Sequence, residues 1–105
     1  MMTKPKTAFF CNGQSNVDRV YSQGRREQVA ELTELYPVVV SAGNFGDHAA
    51  NLADVEVIFS TWGMPTLTTV ELDQLPELKA VFYGAGSVKG FATPLLERDI
   101  TVCSA

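Results

Sequence analysis

The residues with the clearest capacity for chemistry lie in Leu78 to Ala105, LKAVFYGAGSVKGFATPLLERDITVCSA, where an apolar run feeds straight into Gly84, Ala85 and Gly86. A strand that ends in Gly-x-Gly presents bare backbone N–H groups, and glycine permits the close approach that an anion needs. Two or three such amides suit a carboxylate. A tight strand-to-helix turn with no ligand can have the same sequence, so the glycines alone do not decide. Three further segments follow apolar runs and carry polar or aromatic groups: Asn12-Gly13-Gln14-Ser15, Ser60-Thr61-Trp62-Gly63-Met64 and Cys103-Ser104-Ala105.

These segments converge only if the apolar runs form one parallel sheet. Five runs predict strands at Thr7 to Cys11, Val38 to Ser41, Val55 to Ser60, Leu78 to Tyr83 and Thr101 to Ser104. The intervals leave room for crossover helices. Val29, Leu32 and Tyr36 recur near helical spacing, which predicts an amphipathic helix opening near Gly24 and stopped by Pro37. Ahead of it, Val17, Val20 and Tyr21 suit a helical turn. A turn at Gly43 to Gly46 precedes a brief helix over Asp47 to Leu52. Thr68-Thr69-Val70-Glu71 is a capping box opening a helix with Val70, Leu72 and Leu75, closed by Pro76. Thr93-Pro94 reads as an N-cap followed by Pro at the first helical position.

This alternation predicts an α/β fold: a doubly wound parallel five-stranded sheet in the flavodoxin-like order 2-1-3-4-5, in which ligands bind beyond the carboxyl ends of the strands. The fifth helix usual in that arrangement has no sequence to build it here. Its absence would bare apolar side chains on the sheet face beside the first helix, and a homodimer meeting near the last strand is expected.

The chain has 105 residues, 46% hydrophobic and 19% charged, enough for a single domain with one core. Its net charge of −4 argues against nucleic acid or an anionic membrane as partner. No apolar run is long enough to span a bilayer, and the N-terminus lacks a signal-peptide pattern, so a cytoplasmic protein is expected. Cys11 and Cys103 would sit at the ends of the first and last strands, roughly 14 Å apart across two intervening strands, too far for a disulfide. Both are expected as buried thiols. His48, the single histidine, reads as a solvent-facing residue without a catalytic part, and one His with two distant Cys supports no metal site.

The run from Ala53 to Ala105 resembles the N-terminal substrate-binding lobe of the NAD-dependent D-2-hydroxyacid dehydrogenases. ADVEVIFSTW matches the central strand, LDQLPELKAVFYGAGSV the next helix end and strand, and FATPLLERDITVCSA the last helix and strand. Before Ala53 only the order of elements is shared. The resemblance implies that amides around Gly84, Ala85, Gly86 and Ser87 hold the carboxylate of a small 2-hydroxy or 2-keto acid. Trp62 and Met64 would line the pocket for its side chain. Val88-Lys89 replaces the family's common Asp-Asn or Asp-His, Asp99 stands where the family has Gly, and Cys103-Ser104-Ala105 replaces an Asn-Ala-Pro-like segment.

By the same resemblance the dinucleotide fingerprint and the catalytic Arg, Glu and His lie later than Ala105. The chain would therefore be a fragment that binds no NAD(P) and is inactive alone, with hydride transfer belonging to the full-length parent. Two alternatives stand beside it. One is a flavodoxin-like FMN electron carrier, for which Trp62 and Tyr83 would flank the flavin, although Asn12 to Asn16 lacks the hydroxyl-rich phosphate loop. The other is a standalone flavodoxin-like scaffold. A receiver domain is disfavoured, because Ser60-Thr61 occupies the exit where a phosphorylated Asp would be needed.

Overall fold

Five short strands form one parallel sheet whose central strands are the most buried and whose edge strands are partly exposed. They are β1 (Lys6–Phe9), β2 (Glu34–Leu35), β3 (Val57–Ser60), β4 (Ala80–Tyr83) and β5 (Thr101–Ser104). The computed structural model describes residues 4–12, 21, 24–61, 64–65, 67–84 and 92–104. The sheet order is β2-β1-β3-β4-β5 with every pair parallel, the order expected from the sequence. Four short helices are described: α1 (Arg25–Leu32), α2 (Phe45–His48), α3 (Thr69–Asp73) and α4 (Ala92–Leu96). A single 3-10 turn, Ala49–Asn51, continues α2.

The alternation of side chains divides the core in two. On one face Ala8, Phe10, Ile58 and Val81 pack with Phe45 of α2, Leu72 of α3 and Leu95 of α4 in the main core. On the other, Phe9 and Cys11 meet Tyr21, Leu35, Val39, Phe59 and Val29 of α1.

Local chemistry sets the helix ends. Thr68 accepts from the Glu71 amide at 3.3 Å while Glu71 Oε1 accepts from the Thr68 amide at 3.0 Å, the reciprocal box read from the sequence. Leu72 is buried on this helix as expected; the helix ends at Asp73, so Leu75 is buried in the turn beyond it, and Val70 lies on the solvent side. After α4 the Ile100 amide reaches the Leu95 carbonyl and the Asp99 amide that of Leu96, both at 3.1 Å. This is the Schellman pattern, with Asp99 in the left-handed region at φ 60° and Leu95 and Ile100 buried together.

Four expectations need correction. The second strand is not confined to Val38 to Ser41: Glu34 and Leu35 pair with β1, the Tyr36 amide bonds Thr7 O at 2.8 Å, and only Val40 resumes the ladder, bridging Phe10. Pro37 has no N–H and interrupts this edge. The helix before it stops at Leu32, because Thr33 turns extended and its Oγ1 donates to Val29 O at 2.6 Å. Leu32 is therefore 71% exposed and Tyr36 is not helical at all. Helix α4 begins at Ala92, so Thr93 and Pro94 lie inside its first turn, where the missing proline N–H costs nothing. Cys103 is exposed rather than buried, being on the outer strand; Cys11 is buried, and neither is in a disulfide. The turn expected at Val17 and Val20 lies outside the described residues.

Charges gather at the amino end of the sheet. Lys6 pairs with Asp54, Lys79 Nζ meets Glu56 Oε1 at 2.9 Å, and on the helices Arg98 reaches Asp73 at 2.6 Å. The hydrogen bonds from Lys6 and Lys79 hold the Asp54 and Glu56 carboxyls below their ordinary values of 3.8 and 4.5. Stability from these pairs is thus present above the ordinary carboxylate range and is lost as pH falls through the depressed values. All four groups are solvated, so the acid loss should be small and should flatten in about 0.5 M salt, as urea titrations across pH 2 to 6 would show. Two substitutions test the helix ends by the same assay. Asp99→Gly should stabilise by about 0.5–1 kcal/mol through relief of the left-handed backbone, and Thr68→Ala should cost about 1 kcal/mol.

Candidate functional site at the carboxyl edge

In this strand order the chain reverses direction of growth at β1 and β3, and the crevice beyond their carboxyl ends is where such sheets take ligands. The pairing of β3 with β4 aligns Ser60 with Tyr83. The ladder then continues one step, the Gly84 amide donating to Ser60 O at 2.8 Å. Thr61 and Gly84 consequently leave the sheet side by side. That places the start of Gly84-Ala85-Gly86 next to the start of Thr61-Trp62-Gly63.

Side chains tie the β1 and β3 exits together. Ser60 Oγ donates to Phe10 O, and the Tyr21 hydroxyl donates to Ser60 O at 2.9 Å. The Tyr21 ring stands edge-on to Phe9 at 4.8 Å and to Phe59 at 6.3 Å. Burial pushes its phenol up to about 12, with the neighbouring Cys11 adding to the rise, so it is a neutral donor at physiological pH. Beyond β1, Asn12 Oδ1 accepts from the Ala42 amide at 2.8 Å, which pins the first exit to the turn after Val40.

One group at this edge is left over. Thr61 is fully buried, and its Oγ1 has no hydrogen-bond partner among the described residues. A buried hydroxyl in that state costs about 1–3 kcal/mol, and native structures seldom retain one without a reason. Its presence was not legible in the sequence, where Ser60-Thr61 reads only as the polar end of a strand.

Of the residues expected to bind a carboxylate, Gly84 is at the edge. Ala85, Gly86, Ser87 and Trp62 lie outside the described residues. Met64 is 8% exposed and packs within the main core, its amide returning to Thr61 O at 3.2 Å.

The opposite edge has a cavity of about 280 Å³ lined by Lys6, Thr7, Leu35, Tyr36, Asn51 and Asp54. Its Lys and Asp are already joined to each other. Beside it the Tyr36 hydroxyl shares a 2.7 Å hydrogen bond with His48 Nδ1, so the histidine is half-buried and partnered rather than turned to open solvent. No three His, Cys, Asp or Glu side chains come together as a metal site among the described residues. No helix there is long and apolar enough to cross a membrane. Neither a protein-family model nor a curated protein matches the chain.

The two hydroxyls at the β3 exit should respond oppositely to removal. Thr61→Val keeps the volume and deletes the orphan, and urea unfolding should show a gain of about 1 kcal/mol; Ser60→Ala strips Phe10 O of a donor and should cost about 1–2 kcal/mol. A clear loss in Thr61→Val would mean that the hydroxyl is bonded in the folded protein.

Proposed function

We propose that this chain is the substrate-binding lobe of a NAD(P)-dependent D-2-hydroxyacid dehydrogenase and holds the carboxylate of a small 2-hydroxy or 2-keto acid at its carboxyl edge. The observation that supports the reading is the β3–β4 register, in which the Gly84 amide bonds Ser60 O and Gly84 leaves the sheet beside Thr61. In this reading the amides of Ala85, Gly86 and Ser87 hold the anion, which backbone N–H groups at a strand exit can do without a cationic side chain. In the same reading Trp62 and Met64 would line the side-chain pocket, and the Thr61 hydroxyl, which has no partner among the described residues, is a further donor at the same edge.

Asp99 adds support from a different direction. The dehydrogenase pattern has glycine at this position, and here Asp99 adopts φ 60°, the left-handed conformation that favours glycine. The backbone requirement is thus met even though the residue differs.

Hydride transfer belongs to the whole enzyme, because nicotinamide, substrate and acid/base groups must be held in one cleft. This chain contains no Gly-x-Gly-x-x-Gly: position 89, where the third glycine would fall after Gly84 and Gly86, is Lys. Alone it should neither bind NAD appreciably nor turn over a 2-hydroxy acid.

Titrating isotopically labelled protein with pyruvate or glycolate and following amide shifts tests the assignment. Gly84 to Val88 and Thr61 should move together, with millimolar affinity and no response to NAD. Movement confined to Lys6, Tyr36 and Asp54 would place the ligand at the wrong edge. A coloured protein with bound flavin would replace this reading with an electron carrier.

A further inference from the structure

Two donors converge on a single atom where β3 ends. Ser60 O receives the Gly84 amide at 2.8 Å and the Tyr21 hydroxyl at 2.9 Å. A peptide carbonyl has two lone pairs, so its accepting capacity is filled. The first donor is the exit of β4; the second comes from a residue 39 places earlier in the chain that belongs to no strand.

The ring of Tyr21 is held independently of its hydroxyl. It stands edge-on to Phe9 at 4.8 Å and to Phe59 at 6.3 Å, on the sheet face where Phe9 and Cys11 are buried. Packing therefore aims the phenol. Burial pushes its ionisation up to about 12, so the hydroxyl keeps its proton, and its part as donor, throughout the physiological range.

We propose that Tyr21 is a positioning residue of the carboxylate site, acting through Ser60 O to hold the backbone where β3 and β4 leave the sheet. The inference rests on the function proposed above, in which the amides after Gly84 take the carboxylate. Tyr21 need not touch the ligand.

The need for such a residue follows from where the ladder stops. Gly84 makes the last bond between β3 and β4 described, and glycine loses more conformational freedom on ordering than any other residue. Amides beyond it can converge on an anion only if that first bond stays closed. The Ser60–Thr61 peptide is planar, so a rotation that releases Gly84 must also break the Tyr21 bond. On its other side Ser60 is tied to β1, because Ser60 Oγ donates to Phe10 O. The exits of three strands thus depend on one residue, and Tyr21 locks its carbonyl.

Tyr36 supplies the control. It is likewise half-buried, and its hydroxyl shares a 2.7 Å hydrogen bond with His48 Nδ1 beside the amino-edge cavity, away from Ser60.

Pyruvate titration of isotopically labelled wild type, Tyr21→Phe and Tyr36→Phe is the test. Each variant keeps its ring and loses one hydroxyl, so both should fold with similar small losses of stability. Tyr21→Phe should weaken pyruvate binding about three- to tenfold, the worth of one hydrogen bond, while Tyr36→Phe leaves it unchanged. Without pyruvate, amide exchange at Gly84 should quicken about tenfold in Tyr21→Phe relative to the Val81 amide in the same strand, a local change that a general loss of stability would not produce. Pyruvate bound equally well by wild type and Tyr21→Phe at Gly84 overturns this inference and leaves the carboxylate site standing. Equal weakening in both variants, or exchange that quickens equally at Gly84 and Val81, also overturns it. A wild type whose Gly84 and Thr61 amides ignore pyruvate overturns the site itself, and the inference with it.

Discussion

The position of β3 between β1 and β4 is the constraint on which the rest of the structure depends. Its backbone bonds both neighbours in parallel register, and Ile58 at its centre is fully buried in the main core. Because both registers run to the carboxyl end of the strand, the exits of β1, β3 and β4 are brought to one place. Ser60 serves both sides: its hydroxyl reaches Phe10 on β1, and its carbonyl receives the amide of Gly84 from the β4 exit and the phenol of Tyr21. A shift of one residue in either pairing would turn Phe59 and Ile58 to the wrong layers, so burial protects the geometry of the edge.

The two ends of the sheet differ in kind. At the amino end Lys6, Asp54, Glu56 and Lys79 neutralise one another in water, an arrangement that trims the field and leaves little unmet demand. At the carboxyl end the described groups include the Ser60 and Thr61 hydroxyls, the Asn12 carboxamide and a neutral phenol, and Thr61 Oγ1 has no partner among the described residues. Buried polar groups without charge suit recognition of a small anion by dipoles, where affinity is modest and orientation is well defined.

Strand order and the Thr68 cap were legible because each rests on a local pattern: apolar runs at crossover spacing, and Thr and Glu three residues apart. The interrupted second strand was not. Pro37 looks like the stop of a helix and is instead a gap in an edge ladder, since Thr33 had already ended α1 by bonding back to Val29. Cys103 was misplaced because alternation alone gives a side chain its face, while its exposure depends on whether a helix lies over that face. The sequence showed Thr61 only within a strand exit and Asp99 only as a replacement for glycine; that the hydroxyl has no partner among the described residues and that Asp99 turns left-handed are properties of the assembled structure. Four of the six expected ligand-contacting residues, Trp62 and Ala85 to Ser87, fall outside the described residues.

The central claim is that the exits of β3 and β4 form one carboxylate site. A crystal structure of the chain grown with pyruvate tests it most directly. The account predicts the carboxylate against the backbone amides that follow Gly84, within hydrogen-bonding reach of the Thr61 hydroxyl. Pyruvate bound instead in the amino-edge cavity between Lys6 and Asn51, with the Gly84 turn empty, would contradict it.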